Sequence, residues 1–351
     1  MLQEHSTKKE ERKMSVLKIG VVGCGAIGRE HILRLDGKLQ DSKVTAVADV
    51  FEEGARRGAA LVKGDCTVYT DITKIVKDPN VDALVVTTPP IVHKEVVLAA
   101  IEAGKPVFCE KPLAATAADC KAIVDAEVAS GKHLVQVGFM RRYDKGYQQM
   151  KAMIDSNEFG EALVMKCTHR NPVVGTDYIT PQAVFDTAIH EIDVLHWLID
   201  DDYESAQVLF GKDTKYAHSK LRDPQILILK TKRGVNIIIE VFVNCQFGYD
   251  INCEVVCEEG VIHMPSPAFP IVRKDGKLAT AIEQSWINRF IDAYDVELQD
   301  WINACKQGVI NGPTAWDGYL AAVTSDTLVK AQETEMIEKI KLGMKPDFYS
   351  K

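Results

Sequence analysis

The sequence predicts an α/β amino-terminal domain on a parallel sheet, followed by an α+β domain with a large, mainly antiparallel open sheet. Three observations predict it. Continuous apolar runs alternate with helical patterns as far as residue 137, the pattern of parallel strands covered on both faces. The first run leads directly into Gly23-Cys24-Gly25-Ala26-Ile27-Gly28 and a helix. From Gln207 onward the apolar period is two, with short turns such as Lys232-Arg233-Gly234 and Glu258-Glu259-Gly260, which imply antiparallel pairing. A chain of 351 residues exceeds one ordinary core, so two domains are expected, 16–138 and 139–351. The charged stretch 1–15 reads as a disordered extension without a signal peptide, and Met14 is a candidate start.

The first element is the strand Lys18 to Val22, and the glycines after it sit between a strand and a helix. In that context Gly23 permits the tight turn, Gly25 lets the backbone approach a pyrophosphate, and Gly28 allows close helix packing. Ala26 and Ile27 open the helix, whose free N–H groups face the phosphates. A second strand, Lys43 to Ala48, ends in Asp49, twenty-one residues past Gly28. A carboxylate there accepts from both ribose hydroxyls of NAD and opposes the 2′-phosphate of NADP, so the cofactor read from the sequence is NAD. The competing reading of Asp49 is a cap for the helix starting near Glu52. Strands follow at Thr67 to Tyr69, Ala83 to Thr87 and Pro106 to Cys109, the last closing on Glu110-Lys111-Pro112. Ligands bind beyond the carboxyl ends of such strands, which places Lys111 beside the reactive end of the cofactor. The strand His133 to Val137 ends the alternation.

Beyond it, Phe139 to Tyr143 leads into a helix reaching Ser156, then a strand near Leu163 to Thr168 and a loop over Asn171 to Gln182. The loop delivers the chain to Val184–His196, VFDTAIHEIDVLH, read as one helix. Asp186, His190 and Asp193 then share a face, while Ile189, Ile192, Leu195 and Leu198 or Ile199 seat the other face on a sheet. Alternating strands at Val235 to Asn244 and Ile251 to Glu258, helices over Phe290 to Lys306 and Thr314 to Gln332, and a polar tail complete the chain.

Composition narrows the function classes. With 46% hydrophobic and 26% charged residues the protein is globular, and a formal net charge of −8 without a basic stripe argues against nucleic acid or an anionic membrane as partner. No apolar run approaches the ~20 residues of a membrane span. Nine scattered cysteines without a C-x-x-C pair suit buried thiols in a reducing cytoplasm. Cys253 and Cys257 lie on one face of a strand, where core packing explains them.

Taken together, Gly23-x-Gly25-x-x-Gly28, Asp49, Glu110-Lys111-Pro112 and Asp186-x-x-x-His190 resemble the Gfo/Idh/MocA-type oxidoreductases, from about residue 16 through nearly the whole chain. VQVGFMRRYD, THRNP, HEIDVLHWL, VNCQFGYD, INRFIDAYDVE and GPTAWDGYLAAVT look like the inositol 2-dehydrogenase branch. The resemblance implies a Rossmann domain, NAD as hydride acceptor and a homotetramer packed sheet to sheet. It implies Lys111, Asp186 and His190 as catalytic residues, and Arg141, His169, Thr187 and Tyr249 as contacts to a cyclic polyol. Thr88, His93 and Glu110 join the glycines, Asp49 and Lys111 around the cofactor. The segment Thr88-Pro89-Pro90-Ile91-Val92-His93 departs from the tryptophan-containing version of close inositol dehydrogenases.

Chemistry explains the residue types. Oxidising a secondary alcohol needs a base for the hydroxyl proton as hydride leaves, and an imidazole has a suitable ordinary pKa. Asp186 one turn earlier is expected to orient the His190 ring, Lys111 to stabilise developing alkoxide charge, and Arg141, His169, Asp193 and Tyr249 to meet the polyol hydroxyls. myo-Inositol oxidised to 2-keto-myo-inositol is the expected reaction, with scyllo-inositol or a related sugar as the alternative. Two readings from other classes are a metal site on Asp186, His190 and Asp193, and a non-catalytic NAD sensor. The first lacks H-E-x-x-H, and the second would be expected to lack one of Lys111, Asp186 or His190.

Overall fold

A computed structural model describes residues 16–350, so the expectation for residues 1–15 lies outside the described residues. The first sheet has six parallel strands: β1 (Leu17–Val22), β2 (Ser42–Ala48), β3 (Thr67–Tyr69), β4 (Ala83–Val86), β5 (Val107–Glu110) and β6 (Val135–Gly138). Their order is β3-β2-β1-β4-β5-β6. Every residue of β4, β5 and β6 is buried, as a sheet covered on both faces requires. Strand order reverses between β1 and β4, and a crevice opens there at the carboxyl ends. The helices between the strands are α1 (Ala26–Gly37), α2 (Glu52–Ala59), α3 (Ile72–Lys77), α4 (Pro90–Glu102) and α5 (Ala117–Ser130).

After a 3-10 turn at Met140–Tyr143 and α6 (Lys145–Asp155), β7 (Ala162–Arg170) enters the second sheet. A π-helical stretch, Ala183–Ala188, runs into α7 (Ile189–Ile199). Then come β8 (Tyr203–Phe210), β9 (Gln225–Thr231), β10 (Asn236–Phe242), β11 (Asp250–Cys257) and β12 (Val261–His263). The helix expected at 184–196 is thus two helices of different pitch. The sheet order is β12-β11-β7-β10-β9-β8-β15, where β15 (Glu338–Lys339) is an edge strand from the tail. All neighbours pair antiparallel except β7 and β10, which run parallel from Asn236↔Val164 to Phe242↔Arg170. Short turns dictate only the pairing of consecutive strands; β7 and β10 are distant in sequence and meet by topology. An exposed hairpin, β13 (Val272–Lys274) and β14 (Lys277–Ala279), follows β12.

The last two helices return to the first sheet. Leu298, Trp301 and Ile302 of α8 (Trp286–Gln307) pack with Leu17, Ile19, Val21 and Phe108. The start of α9 (Ala315–Thr334), capped by Thr314, leans on Leu113 and Val137 through Gly318. The polar tail is also docked: Tyr349 is buried and its hydroxyl donates to the buried Glu127 carboxylate at 2.5 Å. All nine cysteines are free thiols, Cys253 and Cys257 among the buried ones.

Candidate active site

The glycine loop ends β1 and caps α1 with Gly25. Gly23 has φ +98, which favours glycine, and a Cβ on Gly28 would stand 2.1 Å from Gly23 O and 2.7 Å from Thr87 Oγ1. A Cβ on Gly25 would meet nothing within 4 Å. Two glycines therefore serve the protein's own packing, and the third keeps a space clear at the helix N-terminus. Thr87 Oγ1 donates to Gly23 O at 2.7 Å and fastens the loop to the end of β4. Asp49 Oδ2 accepts from Cys24 N at 2.9 Å and Oδ1 from Phe51 N at 2.9 Å. The cap of α2 is Phe51 itself, so Asp49 braces the glycine loop and does not act as the helix cap. Each of its oxygens keeps a lone pair for a ribose hydroxyl.

A cavity of about 420 Å³ lies between this loop and the second sheet. Ile27, Thr87, Thr88, Glu110 and Lys111 line the first-sheet side, and Asp186, Thr187, His190, His169 and Tyr249 face them. Thr88 Oγ1 is buried without a partner. With the clear space at Gly25 and the braced carboxylate of Asp49, this orphaned hydroxyl makes the wall fit NAD. When bound, NAD supplies the hydride acceptor at nicotinamide C4.

Lys111 leaves the end of β5 and its Nζ donates to Asp186 Oδ1 at 2.9 Å and to Asp186 O at 2.9 Å. This corrects the expected role of Asp186: its carboxylate holds Lys111, not the His190 ring. His190 Nδ1 is buried without a partner, so Nε2 is the nitrogen that meets the cavity. Burial, then the charges of Lys111 and Arg141 and the ring of His169, hold the imidazole well below its ordinary range. Thr187 Oγ1 is 2.6 Å from Tyr178 OH, which fixes its rotamer. Burial pushes the Tyr249 phenol up to about 12, so it remains a neutral donor.

Three further expectations need correction. Asp193 does not reach the cavity: it is buried with Arg142, whose Nε and Nη2 donate at 2.9 and 2.5 Å, and Arg142 also meets Asp317 on α9 at 3.1 Å. The helical offset between residues i and i+3 is about 60°, enough here to turn Asp193 from the cavity wall into the packing beneath it. Arg141 lies behind the wall, 1% exposed, with its guanidinium on Glu191. His93 is spent on the backbone, its ring nitrogens 2.8 Å from Pro112 O and 2.7 Å from Thr88 O, so it ties the two loops together without facing the cavity. Among the described residues no group of three His, Cys, Asp or Glu side chains is placed to hold a metal ion. Sequence reasoning missed Asn171, Tyr178, Trp286 and Tyr294, which also line the cavity. Asn171 and Tyr294 lay within the stretches THRNP and INRFIDAYDVE without a role assigned to them, Tyr178 sits in the loop that delivers α7, and Trp286 precedes the INRF stretch.

Residues 17–139 match the family description "Oxidoreductase family, NAD-binding Rossmann fold" and residues 151–342 match "Oxidoreductase family, C-terminal alpha/beta domain" of Gfo/Idh/MocA. The chain belongs to the Gfo/Idh/MocA oxidoreductase family. Among members of the family, it is 53% identical over 333 residues to an inositol 2-dehydrogenase of Pseudomonas fluorescens, covering 95% of this chain and 99% of that protein. It is also 53% identical over 335 residues to an inositol 2-dehydrogenase/D-chiro-inositol 3-dehydrogenase of Halalkalibacterium halodurans, with 95% and 96% covered. The fold superposes with a TM-score of 0.94 on the crystal structure of a Lactobacillus casei myo-inositol dehydrogenase in complex with NAD(H) and myo-inositol. That pair shares 40% identity, covering 95% of this chain and all of the other. As a Gfo/Idh/MocA oxidoreductase the protein uses NAD, and the glycine loop and Asp49 lie within the matched 17–139.

Proposed function

We propose that this protein oxidises myo-inositol to 2-keto-myo-inositol with NAD, His190 acting as the general base. The observation that carries the reading is the convergence of Lys111, Asp186 and His190 on one cavity beside the clear space at Gly25. An inositol hydroxyl seated there lies between the Lys111 ammonium, which favours alkoxide character, and His190 Nε2, which takes the proton. Asp186 keeps Lys111 aimed at that oxygen through two contacts of 2.9 Å. His169, Thr187 and Tyr249 supply hydrogen bonds for the other hydroxyls, without the arginine fork that a phosphate calls for. Inositol dehydrogenases from three bacteria are the relatives named above, which supports a cyclic polyol over an open-chain sugar.

The test is initial-rate NAD reduction with myo-inositol, scyllo-inositol, D-chiro-inositol, D-glucose and D-xylose. Efficiency at least tenfold higher for myo-inositol is expected. Equal or higher efficiency with scyllo-inositol selects that isomer, and preference for glucose or xylose overturns the inositol reading. No turnover of any of the five leaves the NAD-sensor reading.

The reading extends to assembly and place. The outer face of the second sheet carries Leu209, Ile226 and Ile238 exposed, apolar side chains that a partner sheet could cover. A homotetramer packed through that face covers them. Light scattering that returned a mass near 38.9 kDa would overturn it. Nine free thiols suit a reducing cytoplasm, and among the described residues no helix is long and apolar enough to cross a membrane.

A further inference from the structure

Behind the substrate wall lies a buried charged layer. Glu191 follows His190 on α7, and the step of about 100° between consecutive helical residues turns its carboxylate away from the cavity, under β7. There it is 1% exposed, with Oε2 2.9 Å from His169 Nδ1 and Oε1 accepting from Arg141. Arg141 is packed 5.3 Å from the Phe290 ring centroid, and its Nη2 also comes within 3.2 Å of His169 Nδ1.

His169 Nδ1 thus faces an acceptor and a donor at once, and it can serve only one. A bare Nδ1 would suit Arg141 but would set a lone pair against a carboxylate at 2.9 Å with no proton between them. A protonated Nδ1 satisfies the nearer partner. Burial opposes ionisation of Glu191, and Arg141 and His169 more than offset it, so the carboxyl lies below its usual range and is an acceptor only. The remaining ring nitrogen, Nε2, is left bare on a residue that lines the cavity.

We propose that Glu191 is a positioning residue for substrate selection, locking His169 in the Nδ1–H tautomer so that Nε2 accepts a hydrogen bond from one hydroxyl of the polyol. The ligand in this statement rests on the inositol reading above. Lys111 can only donate, and a neutral Tyr249 engages a hydroxyl first as a donor. Donors alone hold oxygens without fixing where their protons point, and the acceptor on His190, Nε2, is taken up by the reacting hydroxyl. His169 supplies a second imidazole acceptor, which fixes the O–H direction of a further hydroxyl, and an isomer that cannot place a hydroxyl there leaves Nε2 unpaired in a closed wall. Arg141 acts one layer further back, keeping Glu191 ionised.

The experiment uses Glu191→Gln. The single amide oxygen goes to the charged Arg141, and the NH2 turns to His169 Nδ1, which must then be the bare nitrogen. Proton–nitrogen correlation spectra of the NAD-loaded protein, labelled on histidine and assigned with His169→Asn, read the tautomer directly. The wild type is expected to show Nδ1–H at His169 and E191Q to show Nε2–H. With it, KM for myo-inositol rises roughly tenfold to a hundredfold, with a smaller change in kcat and none in KM for NAD. In the His169→Asn background, E191Q adds less than about twofold, because the group it acts through is gone. Nε2–H in the wild type overturns the proposal, and this holds even if E191Q does not fold. An unchanged tautomer in E191Q, or the same KM penalty with and without His169, also overturns it. Failure of the inositol reading looks different: the wild type turns over none of the inositols, while its histidine spectrum still shows Nδ1–H.

Discussion

The two walls of the cavity are built from different materials. The cofactor wall is made largely of backbone: Gly23, Gly25 and Gly28, the N-terminus of α1 and the end of β4, with Asp49 braced by two peptide N–H groups. The substrate wall is made of side chains from the end of β5, β7, the π-helical stretch, α7 and the β10–β11 connection, with Lys111, His169 and Thr187 each held by a partner from elsewhere in the chain. A backbone wall requires contiguous residues with particular φ and ψ, so it leaves a local motif. A side-chain wall requires only that distant Cα atoms be brought near one another, and leaves scattered polar residues whose neighbours the chain order does not reveal.

The sharpest break between the walls is His190→Ala. It should lower kcat by roughly two to four orders of magnitude while leaving the Kd for NAD, measured by fluorescence titration, nearly unchanged. Lys111→Met should act similarly. Full activity in either variant would remove the proton-transfer assignment.

Two glycine variants probe the other wall. Gly28→Ala puts a methyl 2.1 Å from Gly23 O, and backbone must move, so loss of folded protein or more than about tenfold weaker NAD binding is expected. Gly25→Ala has no such neighbour. Its Tm should fall by no more than about 4 °C, while NAD binding weakens as in Gly28→Ala, because the methyl enters the space kept clear for the pyrophosphate. Equal NAD affinity in Gly25→Ala and wild type would show that the phosphates do not pass there.

Asp49→Ser combined with Ala26→Lys should reduce NAD efficiency and admit NADP, read as a ratio of kcat/KM values. The structure adds a cost, since the serine gives up one of the two peptide N–H groups that Asp49 holds. A lower Tm should accompany the switch. Wild-type efficiency with NADP equal to that with NAD would contradict the role of Asp49.

The smallest effect concerns pH. Burial and the nearby cations disfavour imidazolium at His190, so its pKa falls and the base stays unprotonated to lower pH than a free histidine. The acid limb of kcat/KM for inositol should therefore lie below ~6.5, the ordinary histidine value. A limb centred at or above that value would mean that another group, or an undepressed His190, takes the proton.

Much of the fold was legible because local rules act within a few residues. The strands of the first sheet could be read from apolar runs, and the glycine loop from its spacing between strand and helix. Alternation exposed β10 and β11 in the same way. Asp49, Lys111, Asp186 and His190 stood out because each is a polar residue at the end of an apolar element or on one face of a helix. The failures share a cause. Arg141 and Asp193 carry the same kinds of side chain as the cavity residues and differ only in which buried partner, Glu191 or Arg142, claims them.

By itself the sequence determined the class of each half, the cofactor loop and the candidate acid–base residues, since hydrophobic period, turn chemistry and glycine placement are properties of short stretches. Only the tertiary structure decided that Asp186 belongs to Lys111, that a π-helical turn precedes His190, that β7 pairs parallel with β10, and that α8 covers the first sheet. These depend on contacts between residues far apart in the chain. Such contacts are selected by the packing and charge pairing of the whole molecule, which no window along the sequence contains.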